Sequence, residues 1–271
     1  MENVREQYNR NGFALFRSFF DKRQIQQIRS DAKLVFRNQM LNQKIIESPE
    51  IDDRQFEQAM FKYFREDIDG FINCGKTCQN LISLHRLALT DAVLEKLKWL
   101  GLQTPNICTR PVIYFNSRHL ATTDIYYKTP AHQDWRSMQG SLNAVVVWAP
   151  LIDIDENLGA LQVIPGSHLW GLQEAEMDHG FGHIKEAIDD RRFQSIEVKE
   201  GDALFFSAFL IHRSGDNRTE SIRWSCHFRY NDLSEPTFIN RKYPAPYIYK
   251  PQKRLITQGF PDRGVLARLF E

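Results

Sequence analysis

The feature that most constrains the fold of this chain is a series of short β-rich segments between residues 103 and 232. Turn-forming clusters such as Pro165-Gly166-Ser167 and Glu200-Gly201-Asp202 separate the segments. Many short strands joined by regular turns are typical of a sandwich or barrel, and a double-sheet jelly roll is one way to close such a set. The segments are PVIYFN, LNAVVVWAPL, GALQVIP, QSIEV, DALFFSAFLIH and SIRWSCHFRYND.

The first third of the chain, residues 1–102, has helical rather than strand periodicity. After a short strand-like stretch, NGFALF, apolar residues recur at helical spacing at Ile25, Ile28, Ala32 and Val35. Ser48-Pro49 is the expected start of a further helix, because serine caps helices and proline suits the first turn. We therefore predict that these helices buttress the β roll.

We expect one domain over residues 1–271, because no internal repeat or low-complexity block interrupts the chain. Residues 103–232 are predicted to form its β core. Within that core, the stretch from about 169 to 193 breaks the strand pattern with charges, glycine and histidine, which predicts a long loop or lid. Residues 233–271, rich in proline and tyrosine, are predicted to wrap over the surface as a tail.

Composition argues against several classes of partner. Hydrophobic residues make up 42% of the 271 positions, which is enough for a sizeable core and excludes wholesale disorder. The 35 Lys+Arg nearly balance 34 Asp+Glu, which gives no reason to expect nucleic acid or a membrane surface as partner. The charged N-terminal stretch MENVREQYNRNGFALF lacks the apolar core of a signal peptide, so we expect a cytoplasmic protein with four reduced cysteines.

The most informative short motif is PAHQDW, in which His132 and Asp134 stand two residues apart. On a β-strand, residues i and i+2 point to the same side, so both side chains would reach into one space. Such a pair is either part of a metal site or an ordinary polar pair on a strand. The choice depends on whether other residues complete a site.

Later segments supply the residues that complete one. His212 ends the apolar run ALFFSAFLIH, 80 positions after His132 (212 − 132), where a strand would carry it back into the roll. Two histidines and one carboxylate on one face of an ion are the ligand set of non-haem Fe(II) oxygenases. Arg223, eleven residues beyond His212 (223 − 212), offers a guanidinium that grips a carboxylate with two hydrogen bonds. Ser214 offers a hydroxyl donor to the same carboxylate.

With these elements in place, the sequence resembles the phytanoyl-CoA dioxygenase family of Fe(II)/2-oxoglutarate oxygenases. The resemblance covers roughly residues 111–232, and more loosely the GFALFRSFF stretch. It implies a mainly β, cupin-like fold, namely a double-stranded β-helix (jelly roll) preceded by N-terminal helices. The matching pieces are HQDW, VVVWAPLIDID, GALQVIPGSH, GDALFFSAFLIHRSG and RWSCHFRY.

The resemblance also implies roles for individual residues. The iron ligands at the catalytic centre would be His132, Asp134 and His212. Arg223 and Ser214 would hold the distal carboxylate of 2-oxoglutarate. Further cosubstrate contacts are expected from Trp148 and from the positions just before the His-x-Asp motif, where the candidates are Tyr127, Lys128 and Thr129. The implied cofactors are Fe(II), 2-oxoglutarate and O2.

The implied reaction is hydroxylation of an unactivated C–H bond, with release of succinate and CO2. Related halogenases have a small residue where Asp134 stands, so an aspartate favours hydroxylation, although desaturation and ring formation stay open. We expect a small, polar or anionic substrate. Its candidate contacts follow Asp134 on the same wall or continue the last strand: Arg136, Met138, Gln139 and Arg229.

Three alternatives remain open on sequence alone: a metal-free binding or scaffold protein, a family member that binds iron but lacks activity, and a cupin-like metal protein. A cupin-like metal-binding protein or metalloenzyme would not use 2-oxoglutarate, and the carboxylate clamp of Arg223 and Ser214 counts against it. The stretch HGFGH places His179 and His183 four residues apart. Glycines between them disfavour a helix, so these histidines are expected to face solvent or substrate rather than a second metal.

Overall fold

The computed structural model describes residues 4–121, 129–178 and 181–245. Its first third is mostly helical, as the periodicity predicts. In chain order, the described helices are α1 Val4–Asn11, α2 Lys22–Asn42, α3 Asp53–Glu66, α4 Ile68–Cys78, α5 Ile82–Ala88 and α6 Asp91–Trp99, with two short ones later in the chain, α7 Trp135–Met138 and α8 Pro236–Asn240. None of the described helices is long and apolar enough to cross a membrane.

The start of α3 differs from the sequence prediction. The helix begins at Asp53 rather than at Ser48-Pro49. The Gln55 backbone N–H donates to Asp52 Oδ1 at 2.8 Å, and the Asp52 backbone N–H donates to Gln55 Oε1 at 3.0 Å. This complete capping box satisfies two backbone donors at once, which outweighs the preference of proline for a first turn.

The strands form antiparallel sheets. In chain order they are β1 Phe13–Phe16, β2 Pro105–Asn116, β3 Val145–Pro150, β4 Leu161–Val163, β5 Ala175–Asp178, β6 Phe181–Ile184, β7 Gln194–Ile196, β8 Ala203–Ser207, β9 His212–Ser214 and β10 Arg223–Asp232. A five-stranded sheet has the order β1-β8-β3-β10-β2, and a three-stranded sheet has the order β7-β4-β9. Strands β5 and β6 form a separate hairpin.

The two faces of the five-stranded sheet bury different clusters. One face packs on the helices, and its cluster joins Val145, Val147, Phe205 and Phe228 to Ile25, Phe36 and Met60. The opposite face packs on the three-stranded sheet, and its cluster joins Val146, Trp148 and Phe206 to Leu161, Val163 and Ile196. Alternation along each strand therefore produces three layers, helices, large sheet and small sheet.

The predicted lid, residues 169–193, contains regular structure and is called the strap below. It begins within a 3-10 turn at Ser167–Trp170, continues through the β5/β6 hairpin and includes a second 3-10 turn at Asp190–Arg192. Of the predicted tail, the structure describes residues 233–245. Residues 246–271 lie outside the described part.

Candidate active site

A cavity of about 640 Å³ lies on the face of the large sheet that meets the small sheet. Its walls come from β2, β3, β4, β8, β9 and β10, and from the loop around residues 129–137. The predicted site residues that line it are Thr129, His132, Asp134, Arg136, Trp148, His212, Ser214, Arg223 and Arg229. Sequence positions far apart in the chain therefore meet in one space.

His132, Asp134 and His212 converge at this cavity. The backbones of the two histidines form an antiparallel bridge, with N–H to O distances of 3.0 and 3.1 Å, and their ring centroids lie 4.1 Å apart. Asp134 has helical backbone angles, φ −62° and ψ −31°, and precedes α7. One ligand atom from each of the three residues lies within 4.8 Å of the others. The shared space was predicted, but the strand alternation used to predict it is wrong, because the chain turns into a helix after His132.

Both imidazoles are held in the tautomer that suits a metal. The Nδ1–H of His132 donates to Pro130 O at 2.8 Å, and the Nδ1–H of His212 donates to Leu210 O at 3.0 Å. Each Nε2 is left on the side of Asp134 and lies 3.9 Å from one of its oxygens. Burial, together with the neighbouring His132, lowers the pKa of His212 to about 3, so this ring is neutral at pH 7. Neutral imidazole is the form that binds metals.

The carboxylate of Asp134 is paired with Arg229. The guanidinium Nη2 of Arg229 donates to Asp134 Oδ1 at 2.8 Å, and the Asp134 side chain is 4% exposed. Burial acts to raise the pKa of Asp134, but the charge of Arg229, followed by the two histidines, outweighs it and holds that pKa well below its usual range. The group therefore stands as a carboxylate that can bind a cation.

Arg223 lies fully buried at the start of β10. Its Nη2 donates to Ser214 Oγ at 3.3 Å and its Nη1 donates to Gly159 O. Gly159 has φ +82°, and a Cβ added there would meet Gly215 O at 2.8 Å, so glycine permits the close approach of the Gly215 backbone. Within the described ranges no carboxylate pairs with this guanidinium, and its Nε has no hydrogen-bond partner. Burial lowers the pKa of Arg223 to about 10, which leaves it charged at pH 7.

The other predicted cosubstrate contacts have different outcomes. Trp148 is 4% exposed and belongs both to the cavity wall and to the apolar cluster between the sheets. Thr129 lies beside the clamp, because Ser214 N donates to Thr129 O at 3.0 Å. Tyr127 and Lys128 fall outside the described residues.

The predicted substrate contacts after Asp134 need correction. Because residues 135–138 form α7, strand parity does not apply, and Met138 turns into the apolar cluster between the sheets with no exposed surface. Gln139 ends the helix in a left-handed conformation, with φ 48°, and neither residue is among those that line the cavity. Arg136 does line it, and donates to the Gln173 carbonyl of the strap.

Two polar residues on the cavity wall, Ser225 and His227, were not identified from the sequence. Ser225 Oγ and His227 Nε2 are buried with no hydrogen-bond partner within the described ranges. Burial holds the pKa of His227 well below its usual value. The signal was available, because strand alternation from Arg223 places 225, 227 and 229 on the same face.

The HGFGH histidines do not add a metal site to the described structure. His183 lies on β6, while His179 is outside the described residues. Within the described ranges, the only group of His, Cys, Asp or Glu side chains with metal-site geometry is His132, Asp134 and His212.

The chain is similar to known proteins over most of its length. The profile of the family described as phytanoyl-CoA dioxygenase (PhyH) matches residues 8–225. Peroxisomal phytanoyl-CoA dioxygenase of Mus musculus is 26% identical over 242 residues, covering 84% of this chain and 68% of that protein. The 1-deoxypentalenic acid 11-beta-hydroxylase of Streptomyces exfoliatus is 29% identical over 155 residues, covering 53% of this chain and 52% of that protein.

A solved structure shares the fold. The epimerase SnoN, crystallised in complex with Fe3+, alpha ketoglutarate and nogalamycin RO, superposes with a TM-score of 0.57. The match covers 92% of this chain and 91% of that chain at 16% sequence identity. At that identity the likeness concerns the arrangement of helices and antiparallel sheets.

Proposed function

Because this chain belongs to the phytanoyl-CoA dioxygenase family, we propose that it hydroxylates an unactivated C–H bond of a small, polar or anionic molecule. Family membership makes it an oxygenase with Fe(II), 2-oxoglutarate and O2 as cofactors. In the proposed reaction one oxygen atom enters the substrate, and 2-oxoglutarate is converted to succinate and CO2. The relative named as an 11-beta-hydroxylase supports this outcome.

His132, Asp134 and His212 would hold the iron. Two imidazole nitrogens and one carboxylate at this spacing fit the ligand set of non-haem Fe(II) sites, and the Nδ1–H bonds leave both Nε2 atoms on the side of Asp134. When bound there, Fe(II) with 2-oxoglutarate supplies the activation of O2. The protein's part is to bind and orient the substrate and to keep water out.

The observation that carries this proposal is the buried guanidinium of Arg223. A charged group removed from water needs a compensating charge. Among the described residues, however, the hydrogen-bond acceptors of Arg223 are a carbonyl and a hydroxyl. A carboxylate of 2-oxoglutarate would complete it with two parallel hydrogen bonds, and Ser214 Oγ lies within reach of the same group. A cupin-like protein that does not use 2-oxoglutarate has no role for this arrangement.

The charge of the cavity wall favours an anionic substrate. Arg136, Arg213, Arg223 and Arg229 line the cavity, whereas Asp134 is the only carboxylate among the described lining residues. Arg229 is paired with Asp134, and Arg223 is assigned to the cosubstrate. The recorded partner of Arg136 is the Gln173 carbonyl, which does not neutralise its charge. We assign Arg136 to an anionic group of the substrate.

We also infer that residues 103–232 form a double-stranded β-helix. The two facing antiparallel sheets, with the proposed metal ligands between them, support this fold. The helices pack against the outer face of the large sheet, which supports a single domain.

The test is anaerobic reconstitution with Fe(II) and 2-oxoglutarate, followed by visible absorption. We expect wild type to show the weak charge-transfer band of iron-chelated 2-oxoglutarate. His212→Ala should lose the band because iron loses a ligand, and Arg223→Ala should require far more 2-oxoglutarate. His183→Ala, which removes a histidine from the strap hairpin, is the matched control and should behave as wild type.

The outcomes separate the alternatives. A folded protein that binds Fe(II) but shows no band at any 2-oxoglutarate concentration would favour the cupin-like metalloprotein. A protein that binds no Fe(II) would refute the metal assignment of His132, Asp134 and His212. With the band established, candidate anions can be screened by succinate release.

A further inference from the structure

Gln133 stands between the two proposed ligands His132 and Asp134, and its side chain joins three separate segments. The residue is 5% exposed. Its Nε2 donates to Gly171 O at 2.9 Å and to Phe209 O at 2.7 Å, and its Oε1 accepts from the Gln173 backbone N–H at 2.8 Å. Both donor hydrogens and the amide oxygen are therefore engaged, in each case by backbone.

Two of these bonds reach the first limb of the strap. The second limb is attached to the same loop, because Ile184 N donates to Ala131 O at 2.9 Å. Arg136 adds a further bond to the Gln173 carbonyl. Residues 131–136, called the metal loop below, are thus tied to the strap on both sides of the β5/β6 hairpin.

The third bond reaches the segment that carries the other histidine. Phe209 lies in the turn between β8 and β9, three residues before His212. That turn contains a second tie to the metal loop, since Trp135 N donates to Ala208 O at 2.9 Å. One buried amide therefore links the strap to both segments that carry the proposed ligands.

We propose that Gln133 is a positioning residue that couples the order of the strap to the geometry of the metal centre. This inference rests on the proposed metal role of His132, Asp134 and His212. Occupation of the centre fixes the metal loop, and Gln133 passes that constraint to Gly171 and Gln173. Conversely, loss of the Gln133 bonds releases the strap and lets the ligands shift. The described residues of the strap are then more ordered when the centre is filled than when it is empty.

The test compares Gln133→Met with Gln173→Met. Methionine keeps the length of the side chain but makes none of these hydrogen bonds. The Gln173 side chain is the matched control, because its Nε2 donates only within the strap, to Trp170 O at 3.0 Å and Gly171 O at 3.3 Å. Co(II) serves as the metal probe through its visible ligand-field spectrum, and amide hydrogen exchange reports strap order.

In wild type, Co(II) with 2-oxoglutarate should slow amide exchange in residues 171–178 and 181–185. In Gln133→Met this protection should disappear in residues 171–178, while residues 181–185 keep the bond from Ile184 N to Ala131 O. The Co(II) spectrum should change, and Co(II) affinity should fall about 10-fold, as is typical when a group that supports metal ligands is lost. Gln173→Met should speed exchange near residues 170–173 but keep the wild-type spectrum and affinity. If Gln133→Met does not fold, Gln133→Asn, whose shorter amide cannot span the three partners, takes its place.

A variant at Gln133 with the wild-type spectrum and with strap protection on metal binding would overturn the inference while leaving the proposed function intact. Failure of wild type itself to bind Co(II) would instead refute the metal site. The two failures are therefore distinguishable.

Discussion

At the scale of single residues, burial of the Arg223 guanidinium costs free energy because it removes a charged group from water. Arg223 is 2% exposed, and burial shifts its pKa downwards without discharging it at pH 7. The aromatic face of Tyr114, 5.7 Å away, and the Gly159 carbonyl offset part of the loss of water. A bound carboxylate would offset the remainder, and the planar fork of arginine would fix its orientation.

Arg223→Lys tests this geometry because the charge is kept and the fork is lost. Loss of one charge-assisted hydrogen bond weakens binding by about 1.5–3 kcal/mol, so the dissociation constant of 2-oxoglutarate should rise roughly 10- to 100-fold. Anaerobic titration of the charge-transfer band measures it. The control is Arg213→Lys, because Arg213 already bonds Gln162 and Asp190. Equal 2-oxoglutarate affinity in wild type and Arg223→Lys would contradict a bidentate clamp.

Residue types in the sequence predicted His132, Asp134 and His212 because few side chains bind Fe(II), and predicted Arg223 because few grip a carboxylate. The pairing of Arg229 with Asp134 was not predictable in the same way. It depends on how β10 lies beside the loop that carries Asp134, and no local pattern contains that information. The polar pair Ser225 and His227 was within reach, since alternation from Arg223 places both on the cavity face.

At the scale of elements, the end of β10 is fixed by a single carboxylate. Asp232 accepts backbone N–H bonds from Gln103 and Thr104 at 2.9 Å and from Ser234 at 3.0 Å, and a side-chain bond from Asn143 at 3.0 Å. It thus holds the approach to β2, the loop before β3 and the turn after β10. Burial acts to raise its pKa, but these donors outweigh burial and lower it.

Asp232→Asn should lower the free energy of unfolding at pH 7 by about 2 kcal/mol. The asparagine NH2 group would replace one accepting oxygen, so its hydrogens would face N–H groups that then lose their acceptor. The unfolded carboxyl has a pKa of about 3.9, and the folded pKa is lower, so this stabilisation is complete above that value and is lost as pH falls through the folded pKa. In urea unfolding from pH 7 downwards, the difference between wild type and variant should therefore be constant above pH about 4 and should narrow below it.

The exposed carboxylate Glu156 provides the control, and Glu156→Gln should leave the unfolding free energy within about 0.5 kcal/mol of wild type. A constant difference between Asp232→Asn and wild type across the pH range would mean that ionisation of Asp232 is not the source of its contribution.

The type of each element was predictable where the apolar periodicity extends over many residues. The prediction failed where a tight turn divides a segment. The run DALFFSAFLIH was expected as one strand, but it divides into β8 and β9, which lie in different sheets. A turn closed by Leu210 N and Ser207 O at 2.8 Å separates them. The same applies to α7, whose single turn after His132 replaces the expected strand. Tertiary contacts select these turns, and short windows of sequence do not contain them.

At the scale of the whole molecule, one face of the large sheet packs on the helices and the other face lines the cavity. Phe205 faces the helices and meets Phe16 and Phe19 edge-on at 5.3 and 5.2 Å. Phe206, the next residue, faces the cavity, with its ring 4.8 Å from His212. Helices and sheets share one apolar cluster on the Phe205 side, which supports cooperative folding of the described chain as one unit.

Phe205→Ala should lower the free energy of unfolding by about 3–5 kcal/mol through loss of packing in the core. The far-UV signal of the helices and the near-UV signal of the aromatic residues should still change in one coincident transition. Affinity for Fe(II) and 2-oxoglutarate should stay at the wild-type value. Phe206→Ala, its neighbour on the other face, should alter the Fe(II) site as well as stability. Two separate transitions in either signal would contradict a single domain.

The alternation along β10 has a consequence for how such an enzyme diversifies. Trp224, Cys226, Phe228 and Tyr230 point to the helices, while Arg223, Ser225, His227 and Arg229 point to the cavity. Every second position of the strand therefore packs in the apolar cluster with the helices, and the intervening positions do not contribute to that cluster. We therefore expect replacements at Ser225 and His227 to change the cavity wall while the apolar half of the strand stays constant, which would let substrate preference change in nature or in directed evolution.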